Sequence, residues 1–161
     1  MAEVATEQAT TRPMMPGPRE SKPPPARVRR PPAARVAMVQ GVYYVAMGLW
    51  PVLDLKTFML ATGPKLEGWL TKGVGTCMAN VGAALAAAGA RGKVARELRL
   101  LGVTTALSFA AMDFWYAGVQ RRISRVYLAN GITQLGFAAA WGFAAWRESR
   151  DARRLPEAAF A

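Results

Sequence analysis

Histidine is absent from this 161-residue chain, and Cys77 is its only cysteine. These two shortages exclude an intrachain disulfide and any ordinary Cys/His zinc site. Carboxylates are also scarce, ten Asp and Glu against 21 Lys and Arg, and almost none lies within the long apolar runs. That leaves no pair of acids for general acid–base chemistry inside those runs. A phosphate loop is missing too, because the glycines at 73, 75 and 82 are followed by no Lys-Ser or Lys-Thr pair and preceded by no strand pattern. No cofactor, metal site or catalytic set is expected, and no enzymatic activity is assigned.

What is present is a distribution. Charges gather in the first 35 residues, in three connecting segments and in the last 15 residues. Between them lie apolar runs near 36–53, 73–90, 98–118 and 126–146, each close to the ~20 residues a helix needs to cross ~30 Å of hydrocarbon. A soluble bundle would carry a polar stripe on each helix at the 3.6-residue period, yet these runs offer only isolated Gln, Asn, Thr and Ser. The expected fold class is therefore all-α, a transmembrane bundle of four antiparallel helices. Residues 35–147 form its membrane domain, and residues 148–161 form a basic cytoplasmic tail.

The first 34 residues hold eight of the eleven prolines, interleaved with Arg, Ala and Thr, a composition that buries no core and predicts a disordered cytoplasmic tail. The first apolar run lacks a convincing small-x-small cleavage site at its end and is read as a retained span.

The net charge of +11 would suggest nucleic acid in a soluble protein, but here the basic residues flank apolar runs, and no nucleic-acid partner is expected. Counted by segment, 15 of the 21 Lys and Arg fall on one side of a four-span topology, in residues 1–35, 91–99 and 147–161. The positive-inside rule then places both termini in the cytoplasm, in a multi-pass protein of the bacterial inner membrane. The expected partners are membrane lipids and a second copy of the chain.

Two segments refine this plan. Leu55, Phe58, Met59 and Thr62 follow i, i+3, i+4, i+7 spacing behind Asp54, an N-cap residue, and predict a short interfacial helix between spans one and two. Gly63-Pro64 ends it, with Pro64 expected in the first turn of the next helix. The second run holds four Gly and seven Ala, and the rows Gly75, Ala79, Ala83, Ala87 and Gly82, Ala86, Ala90 predict close helix contact. That helix is expected to be the most enclosed of the four, with Cys77 as a small packing residue.

The candidate site follows from depth. Asp113 has no basic residue within seven positions, and a lone carboxylate in a membrane-length helix is costly enough to mark function or a specific partner. At ~1.5 Å per residue, Asp113 lies about 8 Å below the outer end of its span, Asn130 about 6 Å, Asn80 about 10 Å, and Gln134 and Tyr44 about 12 Å. Asn130 and Gln134 share a helix face at i, i+4. These five residues are expected to form an inward-facing polar pocket beneath the interfacial helix, with Lys56 or Lys65 within reach of Asp113. The pocket suits a lipid or small amphiphile in an accessory membrane protein. The alternative is a small proton-coupled transporter in which Asp113 exchanges a proton for a cationic substrate. Purely assembling hydrogen bonds between helices are the plainer reading of the amides and tyrosines.

The string from Tyr43 to Pro51 (YYVAMGLWP), with Thr62-Gly63-Pro64-Lys65, Trp69 and the third-span Asp, resembles small bacterial four-helix membrane proteins with a GLWP and TGPK pattern. The likeness covers about residues 40–145 and implies a four-span inner-membrane protein with no activity to carry over. In span number and size the chain is also similar to the DoxX-like membrane proteins.

Overall fold

The computed structural model describes residues 30–154, which are all-helical with no strand among them. The expected disordered tail lies outside these residues as far as position 29. The elements are α1 (Pro32–Leu53), α2 (Leu55–Thr62), α3 (Gly68–Arg91), α4 (Arg96–Asp113) continued by a π-helical segment (Phe114–Val119), and α5 (Val126–Arg154). Four long helices and one short one thus form the expected all-α bundle. By length and composition α1, α3 and the α4–π unit are long and apolar enough to cross a membrane. The fourth long helix, α5, carries Asn130, Thr133 and Gln134 in its first half and falls short of that apolarity.

The helix limits depart from the apolar runs at several ends. Pro32 occupies the first turn of α1, where its missing N–H costs nothing. Ala33 and Ala34 are buried, so the end of the proline-rich segment is already helix. Glu148 supplies the missing cap: its carboxylate accepts the Ala33 N–H at 3.3 Å and pairs with Arg99. That acid sits at the positive end of α1, and α5 runs on as helix through residues assigned above to the C-terminal tail. Pro51 lies inside the last turn of α1, buried, and the helix ends two residues later. Asp54 then caps α2, accepting the Lys56 and Thr57 N–H groups at 3.1 Å each, as the spacing predicts. Those two bonds hold the Asp54 carboxyl below its ordinary range, the Thr57 amide contributing most. Pro64 stays outside any helix and α3 begins only at Gly68, because Gly63 (φ +90°) turns the chain away from helix.

The tightest pairing is α1 with α3. Ala34 faces Gly89, Gly41 faces Gly82 and Ala86, and Gly48 faces Gly75 and Ala79, so the two helices run antiparallel. Backbones touch here: a Cβ on Gly82 would lie 2.7 Å from the Gly41 carbonyl oxygen, and one on Gly89 2.6 Å from that of Ala34. The seam on α3 is Gly75, Ala79, Gly82, Ala86 and Gly89, steps of four and three residues, which keep one straight face toward a neighbour. The straight i+4 rows expected above drift off this face. Ala83, Ala87 and Ala90 are exposed, and so is Cys77. The expectation that α3 is the most enclosed helix is likewise corrected. It packs chiefly on α1, because small residues bring one partner very near rather than surrounding the helix. α1 is central instead, meeting α3 on one side and α5 and α4 on the other. Around α1, Ala33, Ala37, Leu85 of α3, and Trp141 and Ala144 of α5 form the apolar core.

Candidate functional site

Beside the glycine seam on α1, Gln40 and Tyr44 are one turn apart and fully buried, and so is Gln134 on α5. A connected hydrogen-bond chain runs from these residues to Asp113. Its polarity is set at the far end, where Trp141 can only donate and a backbone carbonyl can only accept. Trp141 Nε1 donates to Gln40 Oε1 at 2.6 Å, so Gln40 Nε2 is free to donate to the Gly102 carbonyl at 2.8 Å and to the Tyr44 hydroxyl at 3.0 Å. Having accepted that bond, Tyr44 donates to Gln134 Oε1 at 2.8 Å. Gln134 Nε2 in turn points to Asn130 Oδ1 at 3.5 Å, which also accepts the Tyr43 hydroxyl at 2.6 Å. Asn130 is left with its Nδ2 as donor, and it donates to Asp113 Oδ2 at 2.6 Å. Each amide orientation follows from the one before it, and the chain ends on an acceptor. No buried side-chain nitrogen or oxygen among the described residues lacks a partner.

Glycines make room for this chain. A Cβ at Gly102 would meet Trp141 Nε1 at 3.0 Å and Gln40 Oε1 at 3.1 Å, and one at Gly131 would meet Asp113 Cβ at 3.2 Å. Asp113 is the last residue of α4 before the π-helical segment. There the Gln120 amide bonds back to the Trp115 carbonyl at 2.8 Å and the Arg122 amide to that of Tyr116 at 2.9 Å. Arg121 takes a positive φ of 53°. Wide turns of this kind recur at functional sites because they re-aim side chains that a regular helix would not.

Four of the five residues expected in the pocket, Asp113, Asn130, Gln134 and Tyr44, come together in this hydrogen-bond chain, but only Asp113 and Asn130 line a cavity, and Tyr44 and Gln134 do not. Asn80 does not join them, since it is exposed on α3. Depth along the helix is right for Asn80, but rotation is wrong, because the Gly75–Gly82 seam turns that residue away from α1. Neither lysine pairs with Asp113 as expected. Lys56 is exposed, while Lys65 Nζ donates to the Thr62 carbonyl at 3.3 Å and lies 4.9 Å from the centre of the Tyr127 ring. The only salt bridge among the described residues is the distant Arg99–Glu148 pair. Sequence reasoning missed Gln40, Tyr43 and Trp141. Gln40 and Tyr44 at i, i+4 in an apolar run were the available signal.

A cavity of about 650 Å³ opens above this chain at the α2 end of the bundle. Phe58, Ala61 and Thr62 of α2 cover it, and its walls come from α1, α3, α4 and α5, including Met47, Val74, Met78 and Phe109. Most of the lining is apolar, and the polar groups that reach it include Tyr43, Lys65, Asp113 and Asn130. Below the cavity, Gln40, Tyr44, Leu85, Gln134 and Trp141 fill the bundle. No family model, curated protein or solved structure matches this chain. A concave, mostly apolar space with a few convergent polar groups is the general form of a small-molecule site, and this half-open one is of a size to admit one alkyl chain and a compact headgroup.

Proposed function

We propose that this chain is a four-span membrane protein, with α5 as the fourth span, and that it holds a lipid or small amphiphile in the cavity beneath α2. The observation that carries the reading is the roughly 650 Å³ space lined by Met47, Val74, Met78 and Phe109 with Asp113 at its wall. Apolar side chains suit an acyl or alkyl chain, and the polar groups beside Asp113 suit a headgroup. The polar face of α5 supports its place as a span, because Asn130 and Gln134 spend their amides on Tyr43, Tyr44 and Asp113 inside the bundle and not on hydrocarbon. The basic bias supports both termini in the cytoplasm, which puts α2 and the cavity mouth on the outer side of a bacterial inner membrane.

A proton-coupled transporter using Asp113 would need the carboxylate to reach both sides in turn. The packed Gln40–Trp141 layer below the cavity favours a binding protein over that alternative. The test is saturable uptake of an alkyl probe by the purified protein in nanodiscs, compared with a cavity filled by Met78→Trp together with Ala61→Trp. Binding should be lost in the filled variant while the fold, followed by gel filtration and helical circular dichroism, is kept. Equal probe binding in both proteins would refute the site.

A further inference from the structure

Asp113 is only 5% exposed, yet it receives a single hydrogen bond among the described residues, from Asn130 to Oδ2. Its second carboxylate oxygen is not a sealed orphan, because no buried oxygen lacks a partner. Asp113 is also a lining residue of the cavity. The other charged side chain on the cavity wall, Lys65, already has the Thr62 carbonyl and the Tyr127 ring as partners. A carboxylate with one hydrogen bond and no salt bridge thus stands on the wall of an apolar space that Tyr43, Trp50, Phe58 and Phe109 also line.

We infer that the ligand carries an ammonium headgroup, with Asp113 as its counter-ion and the alkyl chain lying in the cavity against Met47 and Met78. This rests on reading the cavity as an amphiphile site. A cation is the one headgroup that turns a costly lone carboxylate into a charge-assisted pair, and aromatic ring faces attract it further. An anionic headgroup would be repelled at the same place, and a neutral one would leave the charge unpaired. The polarised chain from Trp141 to Asn130 makes Asn130 a positioning residue. Its donor Nδ2 is committed to Oδ2, which orients the carboxylate on the cavity wall.

Two probes test this on the full chain in phosphatidylcholine nanodiscs: a decyl chain with dansyl at one end and either an ammonium or a hydroxyl at the other. Saturable energy transfer from tryptophan reports binding, with Trp50 on the cavity wall, after subtraction of empty nanodiscs. The ammonium probe should bind the wild-type protein about ten- to a hundred-fold more tightly than the hydroxyl probe, the ratio expected for one charge-assisted hydrogen bond. Asp113→Asn keeps an acceptor for Asn130 and should bring the two probes to the same affinity without weakening the hydroxyl probe. Equal affinities in the wild-type protein would overturn the counter-ion while leaving the cavity an amphiphile site. No saturable binding of either probe would overturn both. Should the variant fail to fold, the wild-type ratio still decides.

Discussion

Replacing Gly82 by alanine should separate α1 from α3, and the size of the effect can be worked from the seam. The added Cβ would lie 2.7 Å from the Gly41 carbonyl oxygen, 2.7 Å from the Val45 amide nitrogen and 2.8 Å from the Tyr44 Cβ. Ordinary contact for such pairs begins near 3.5 Å, so the helices must part by roughly 0.7 Å. Two of the three atoms are backbone and cannot rotate aside. A gap of that order forfeits about a quarter to a half of the dispersion attraction along the seam, and overpacking of this kind costs about 1–3 kcal/mol. Alanine's better helix propensity offsets at most about 1 kcal/mol of that. Gly73→Ala is the matched control, since it lies in the same helix and a Cβ there meets nothing within 4 Å. Unfolding both variants in mixed micelles with rising dodecyl sulfate, followed by tryptophan fluorescence, should show Gly82→Ala less stable than Gly73→Ala by about 1–3 kcal/mol. Equal shifts would refute the close-approach argument. Ala83→Leu, on the exposed face, should stay within about 0.5 kcal/mol of wild type in the same assay.

Gln40→Leu removes the acceptor for Trp141 and the donors to Tyr44 and Gly102 together, and should destabilise the bundle by about 1–3 kcal/mol; a thermal midpoint unchanged from wild type would contradict the network. The cap of α2 is acid-sensitive in a defined direction. The Asp54 carboxyl lies lower in the fold than in the unfolded chain, so its contribution is complete above the ordinary carboxylate value and is lost as pH falls through the folded one. Hydrogen exchange of the Thr57 amide should accelerate over that acid range relative to neighbouring helices. Asp54→Asn should abolish the pH response while largely keeping the cap. For topology, a reporter fused after Ala161 should read cytoplasmic, and a periplasmic signal would reverse the placement of α2 and the cavity.

Periodicity and charge made much of this fold legible. Asp54, followed by the Leu55 to Thr62 spacing, was enough for α2, because a capped amphipathic turn is a local object. Asp113, Asn130, Gln134 and Tyr44 could be gathered from depth alone, because a membrane-length helix converts residue number into height. Height says nothing about azimuth, and that is where Asn80 and the Ala83 row were misplaced. Which face of α3 turns inward depends on how Gly41 and Gly48 meet Gly82 and Gly75, contacts between residues 41 and 27 positions apart that no local pattern states.

The sequence by itself determined that this chain is helical, that most of its length is apolar enough to form membrane-length helices, and that its one isolated carboxylate sits near one end of the bundle. Those are consequences of composition along the chain. Only the tertiary structure decided that α1 is the central helix, that Gln40 and Trp141 begin a hydrogen-bond chain ending at Asp113, and that Lys65 turns to Tyr127 and leaves the carboxylate on the cavity wall without a salt bridge. The reason is physical: hydrogen bonds and backbone contacts depend on the rotation of each helix about its own axis, and that rotation is set jointly by all the helices packed against it.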